Sequence, residues 1–201
     1  MREKIIFIDR DGVINKDPGG WTEHSYVTRW QDFHFLAGAL DALMLLKKSG
    51  FKVVIISNQA GVGRKLFSRE DLDRVTVKML SAIKNHGGLI ENVYYCMHTK
   101  EENCNCRKPK TGMLEDAIKL YEAKPRETYF VGDSIVDVEA GARLGIATVF
   151  VLSGKTSLEE SRKWPIKPDY IFKDLIEAVR WITAKDKIRA KRAFKRKERG
   201  D

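Results

Sequence analysis

Apolar residues fall in short runs that recur along the chain. The first is Lys4-Ile5-Ile6-Phe7-Ile8, rich in β-branched side chains and stopped by Asp9-Arg10-Asp11-Gly12. A run of that length and composition reads as a buried strand. Counting it as 4–9, the runs predict strands over 4–9, 52–57, 92–96, 127–132, 147–152 and 169–172. The segments between them have helical spacing and predict helices near 38–49, 69–86, 112–122, 135–144 and 174–195. Ser68 before Arg69-Glu70-Asp71, and Asp174 before the last helix, are capping residues; Gly50 and Gly145 stand where glycines end helices. Such alternation predicts an α/β fold, a mostly parallel sheet with helices on both faces. Residues 16–33 have no clear period, and Asp17-Pro18-Gly19-Gly20 reads as a flexible loop, a candidate lid or substrate wall at residues 17–23.

Polar residues cluster at the predicted strand ends. Asp9 and Asp11 close the first strand, Ser57-Asn58 the second and Gly132-Asp133 the fourth, while Arg107-Lys108-Pro109-Lys110 precedes a helix. In open α/β sheets ligands bind at the carboxyl ends of strands. Asp and Gly also make ordinary turns. Adjacent carboxylates repel, however, and a hard divalent cation is the usual compensation. An acidic pair, a hydroxyl, a lysine and a further aspartate are what phosphoryl transfer to an aspartyl nucleophile needs.

Composition narrows the classes. With 201 residues, 43% of them apolar, the chain suits one domain with a sizeable core. No stretch of 18 apolar residues suggests a membrane span, and no signal-peptide pattern precedes the first strand, so a cytoplasmic location is expected; a monomer is expected as well. The net charge of +9 is uneven: residues 185–201 hold nine Lys/Arg against three Asp/Glu, the remainder 28 against 25. Residues 1–184 therefore read as the domain and 185–201 as a basic helical extension or tail. A solvated extension is favoured over a nucleic-acid contact, since Phe194 is its one aromatic residue. The mild positive excess elsewhere suits a small phosphorylated substrate.

All three cysteines and one of the four histidines lie in Cys96-x-His98-x5-Cys104-x-Cys106. Three thiolates and an imidazole suit a closed structural zinc site; free thiols or a redox pair are the alternative. Zinc there would stiffen the loop that leads into Arg107 and Lys108.

These motifs together resemble the haloacid dehalogenase (HAD) superfamily phosphatases of subfamily IIIA, the branch without a large cap that includes heptose bisphosphate phosphatases and histidinol-phosphatases. The resemblance rests on Asp9-Arg10-Asp11-Gly12-Val13-Ile14-Asn15, Ser57-Asn58-Gln59, Cys106-Arg107-Lys108-Pro109, Gly132-Asp133-Ser134-Ile135-Val136-Asp137 and the cysteine loop, and covers residues 4 to 154. It implies a three-layer, Rossmann-like fold. It also implies roles: Asp9 the nucleophile, Asp11 the general acid and base, Ser57 and Asn58 binding phosphoryl oxygens, Lys108 pairing with nucleophile and phosphate, Arg107 recognising substrate. Magnesium would be held by Asp9, the Asp11 carbonyl and Asp133, with Asp137 orienting Lys108 or metal-bound water. Lys110 is a rival for the lysine role, with solvent the expected place for it. Magnesium and Lys108 should depress the Asp9 pKa.

His24-Ser25-Tyr26-Val27 resembles a substrate loop, making His24 and Tyr26 candidate substrate contacts; Ser134 is another, at a position where heptose enzymes commonly carry lysine. The implied reaction is hydrolysis of a phosphate monoester. Heptose 1,7-bisphosphate is the leading substrate, with histidinol phosphate and 3′-phosphorylated polynucleotides as alternatives. A phosphoacceptor signalling module is the non-enzymatic alternative.

Overall fold

The computed structural model describes residues 4–20, 22 and 25–198, with side chains up to Arg189. Six strands form one sheet: β1 (Lys4–Ile8), β2 (Phe51–Asn58), β3 (Asn92–Cys96), β4 (Tyr129–Gly132), β5 (Ala147–Val151) and β6 (Tyr170–Phe172). Their order is β3-β2-β1-β4-β5-β6 and every pairing is parallel. That is the doubly wound order, reversing direction at β1, where a crevice opens beyond the strand ends.

The period-two pattern of the strands sorts the helices into layers. Ile6, Ile8, Val53, Ile55, Val131 and Val149 face one side, where they pack with α1 (Ala39–Lys48), α2 (Arg69–Asn85) and α6 (Leu175–Glu198). Ile5, Phe7, Val54, Ile56 and Phe130 face the other, under α3 (Gly112–Leu120) and α4 (Ile135–Arg143). Because both faces are covered, the strands are apolar throughout rather than alternating.

Element boundaries fall within one to three residues of those read from the pattern. Ser68 and Asp71 cap α2 reciprocally, Asp174 accepts from the Glu177 N–H, and Gly50 and Gly145 take left-handed φ of 78° and 68°. Missing from the reading was α5 (Leu158–Arg162), too short to show a period yet closed by a Ser157–Glu160 capping box. The stretch without period contains a 3-10 turn, Trp30–Asp32, whose Trp30 stacks on Phe33 at 5.2 Å. The last helix runs unbroken from Leu175 to Glu198, three residues past the expected end and across position 184. Lys185 and Asp186 belong to the folded body. Lys185 lies 4.4 Å from the Trp181 ring centre and 2.8 Å from the Tyr170 hydroxyl, and Asp186 pairs with Lys4 at 2.6 Å. Among the described residues, no helix is long and apolar enough to cross a membrane.

Candidate active site

The sheet order brings the ends of β2, β1 and β4 side by side, and the acidic residues predicted for the site meet there. Asp9 follows β1 and is stitched to β4 by its N–H, which donates to the Val131 carbonyl at 2.9 Å. Lys108 enters from the loop after the cysteines and is buried. Its Nζ lies 3.0 Å from Asp9 Oδ2 and 2.6 Å from Asp137 Oδ1, and donates to the Ile56 carbonyl at 2.8 Å. The pair with Asp137 is the geometry that one of its two expected roles, orienting this lysine, would need. Lys110 does not compete: its ammonium is tied to Asn103 at 2.8 and 2.6 Å.

Carboxylate oxygens of Asp9, Asp133 and Asp137 all lie within 4.8 Å of one another, and all three residues are buried. Against them stands the single ammonium of Lys108, so the buried group carries two excess negative charges when ionised. Burial pushes Asp9 up to about 6, with Lys108 pulling down and Asp137 and Asp11 pushing further up. In the metal-free chain lost hydration outweighs the lysine; the expected depression of Asp9 depends on bound magnesium adding to Lys108. Burial likewise raises Asp133, reinforced by Asp137 and Asp9. Burial works against charge on Lys108, but Asp137 and Asp9 hold its pKa above the ordinary value. A compact set of hard oxygen donors with two uncompensated charges fits a divalent cation. The fit is tight: a Cβ on Gly12 (φ 78°) would come 2.5 Å from Asp133 Oδ2, one on Gly154 would collide with the same carboxylate, and one on Gly132 with Asp137.

Asp11 is held differently. Arg10, fully buried, grips its carboxylate from Nε and Nη2 at 2.9–3.2 Å. Asn15 Nδ2 donates to Oδ1 and Gln59 Nε2 to Oδ2, each at 2.8 Å. Burial opposes the Arg10 charge, yet Asp11 raises its pKa further. The carboxylate of Asp11 is therefore fixed by three side chains that the sequence placed in motifs without giving them tasks. Arginine between two aspartates reads as a solvated turn residue; only the fold shows it turned inward, its guanidinium 5.7 Å from the Tyr95 ring centre.

Ser57 is buried at the end of β2 and accepts from Gln59 at 3.2 Å. The Asn58 side chain donates to the Lys108 carbonyl at 3.1 Å and accepts from the Lys108 N–H at 3.0 Å, so it holds the lysine loop and keeps a second amide hydrogen for the expected phosphoryl contact. Ser134 caps α4, its hydroxyl donating to Asp137 at 2.5 Å. Arg107 reaches the His98 carbonyl at 3.4 Å, and Tyr26 leans on Phe67 at 5.8 Å, partly buried near Gly61. His24 lies outside the described residues.

Cys96, His98, Cys104 and Cys106 converge. Their Sγ and Nδ1 atoms are 3.1–3.7 Å apart. That is far outside the roughly 2.0 Å of a disulfide. It lies just inside the roughly 3.5–3.8 Å edges of a tetrahedral zinc site. Burial raises the Cys96 thiol; burial also opposes ionisation of Cys104, but hydrogen bonds from Cys106 and the Arg107 main chain draw it down to about 7. The donor set fits zinc with no position left open.

Comparison with known proteins agrees with this geometry. The HAD-hydrolase-like family model matches residues 105–178. The D-glycero-beta-D-manno-heptose-1,7-bisphosphate 7-phosphatase of Neisseria meningitidis serogroup A is 36% identical over 181 residues, covering 89% of this chain and 94% of that protein. This chain belongs to that family of HAD phosphatases. The same enzyme of Haemophilus ducreyi is 35% identical over 190 residues, covering 90% of this chain and all of that one. Among solved structures, the D,D-heptose 1,7-bisphosphate phosphatase of B. bronchiseptica, complexed with magnesium and phosphate, aligns with a TM-score of 0.81 at 29% identity, over 90% of this chain and 99% of that chain.

Proposed function

We propose that this phosphatase hydrolyses the 7-phosphate of D-glycero-D-manno-heptose 1,7-bisphosphate through an aspartyl-phosphate on Asp9. The observation that carries the chemistry is the chain Asp137–Lys108–Asp9, buried beside Asp133 where three strands end. The sugar is supported by the relatives, which carry that name over nearly the whole length of this chain.

Asp9 attacks phosphorus; the new P–O bond forms as the bond to the sugar oxygen breaks, and Asp11 gives that oxygen a proton. Water then attacks the aspartyl-phosphate, Asp11 takes its proton, and inorganic phosphate leaves with Asp9 restored. Lys108 neutralises the attacking carboxylate and a phosphoryl oxygen, and the Ser57 hydroxyl donates to another. Magnesium would be held by Asp9, the Asp11 carbonyl and Asp133 and would supply positive charge against the phosphoryl oxygens. Zinc would be held by Cys96, His98, Cys104 and Cys106 and would stiffen the loop that delivers Arg107 and Lys108. Arg107, Tyr26 and His24 are assigned to the sugar side, and the basic extension to solvent rather than nucleic acid. A reducing compartment such as the cytoplasm suits three cysteines outside any disulfide.

The test is phosphate release with magnesium from heptose 1,7-bisphosphate, histidinol phosphate and a 3′-phosphorylated oligonucleotide. A kcat/KM at least about 100-fold higher for the heptose is expected, and Asp9→Asn should lower kcat by about 10³ or more. A preference for either other ester refutes the substrate; an active Asp9→Asn protein refutes the nucleophile.

A further inference from the structure

The end of β2 carries three successive side chains with separate tasks. Ser57 faces the reacting group and Asn58 clamps the Lys108 main chain. Gln59 is fully buried, and its one amide nitrogen lies 2.8 Å from Asp11 Oδ2 and 3.2 Å from Ser57 Oγ. A primary amide has two N–H hydrogens, enough to serve both partners at once. Among the described residues, Gln59 alone is hydrogen-bonded to both.

Two consequences follow from the donor inventory. A lone pair of Ser57 Oγ is occupied by Gln59, so its own O–H is directed elsewhere, to where a phosphoryl oxygen would lie. Asp11, gripped by Arg10 from the protein interior, is given its angle by Gln59 from the side of β2. Gln59 is itself anchored: its main-chain N–H donates to the Cys96 carbonyl at 2.7 Å, at the root of the cysteine loop. A glutamine that merely filled the core would not need a polar group directed at two residues of the site.

We infer that Gln59 is a positioning residue, fixing Asp11 for proton transfer and linking it to Ser57. The inference rests on the phosphatase reading above. It predicts that Gln59 acts through Asp11, which a double-mutant cycle measures.

The experiment makes Gln59→Met, close in shape but without N–H donors, in the wild-type and Asp11→Asn backgrounds. Steady-state rates are taken with magnesium on an alkyl ester, heptose 1,7-bisphosphate, and on p-nitrophenyl phosphate, whose leaving group needs no proton. Alone, Gln59→Met should lower kcat on the alkyl ester about 10- to 100-fold with KM changed less than about threefold, and cost less on the aryl ester. In the Asp11→Asn background it should change kcat on the alkyl ester less than about threefold, well short of its loss in the wild-type background. Equal losses on both esters, full additivity with Asp11→Asn, or no loss at all overturns the inference. Gln59→Leu, which likewise carries no side-chain donor and no charge, gives the same readouts if the methionine variant fails to fold. Wild-type protein that releases no phosphate from any ester refutes the phosphatase reading instead; an active wild type with additive losses refutes only the role of Gln59.

Discussion

Asp9 is pulled in two directions, and the outcome can be titrated. Its folded pKa is raised to about 6 from an ordinary 3.8, so the fold prefers it protonated. In metal-free protein the Asp9 contribution to stability should then be lost as pH rises from about 4 to 6. A cation binds only the ionised form, so magnesium should raise the melting temperature more at pH 7.5 than at pH 5. Thermal melts with and without magnesium at the two values test this; an equal or larger gain at pH 5 contradicts it. The glycines around Asp133 make a second prediction. Gly154→Ala puts a methyl group against that carboxylate. It should cut kcat by about 10² or more and weaken magnesium binding, at a cost of about 1–3 kcal/mol in stability. A variant with wild-type magnesium affinity by calorimetry would remove the packing argument. At this scale the sequence was most legible where charge stood at a strand end: Asp9 and Asp133 were expected there, and the fold brings them together with Lys108 from the cysteine loop. Arg10 and Asn58 were not legible in the same way. Their partners, Asp11 at the next position and Lys108 fifty residues on, are chosen by the fold, and no local pattern reports which way a polar side chain turns.

The cysteine loop is the element on which the others lean. Gln59 and Gly63 donate their N–H groups to the carbonyls of Cys96 and Met97, at 2.7 and 3.0 Å, and a Cβ on Gly63 would run into that Met97 carbonyl. Asn58 ties the far side of the same loop to β2. Zinc loss should therefore disturb Gln59 and Lys108 together. Cys104→Ser is expected to lower kcat at saturating magnesium about tenfold or more and the melting temperature by several degrees, and zinc analysis should fall from one equivalent per chain to well below it. Unchanged activity in a zinc-free variant would show that the loop holds its shape unaided. The cluster was visible in sequence because four soft ligands within eleven residues are rare. Its zipper to residues 59–63 was not, because main-chain hydrogen bonds leave no trace in residue type. Helices with glycine stops and capping boxes were legible for the opposite reason: their ends need particular side chains. The short α5 escaped because five residues cannot display a 3.6-residue period.

Across the whole molecule, the composition shift at 185 and the structural boundary differ. Charge changes there, but Lys185 and Asp186 still pack on Trp181, Tyr170 and Lys4. Ending the chain at Arg189 should leave the melting temperature within about 2 °C of the full protein, whereas ending it at Ala184 should lower it by about 3–8 °C. Equal melting temperatures for the two would mean that the cation stacked on Trp181 contributes nothing. The sheet order carries a last consequence, in time rather than space. β1 is made first but sits between β2 and β4, and β4 begins at Tyr129. During synthesis, at roughly 5–20 residues per second, the strand that leads into Asp9 waits several seconds for its second neighbour. Asp133 and Asp137 arrive with that neighbour, so a partly made chain holds Asp9 without the charges that arm it, and hydrolytic power is switched on by closure of the sheet.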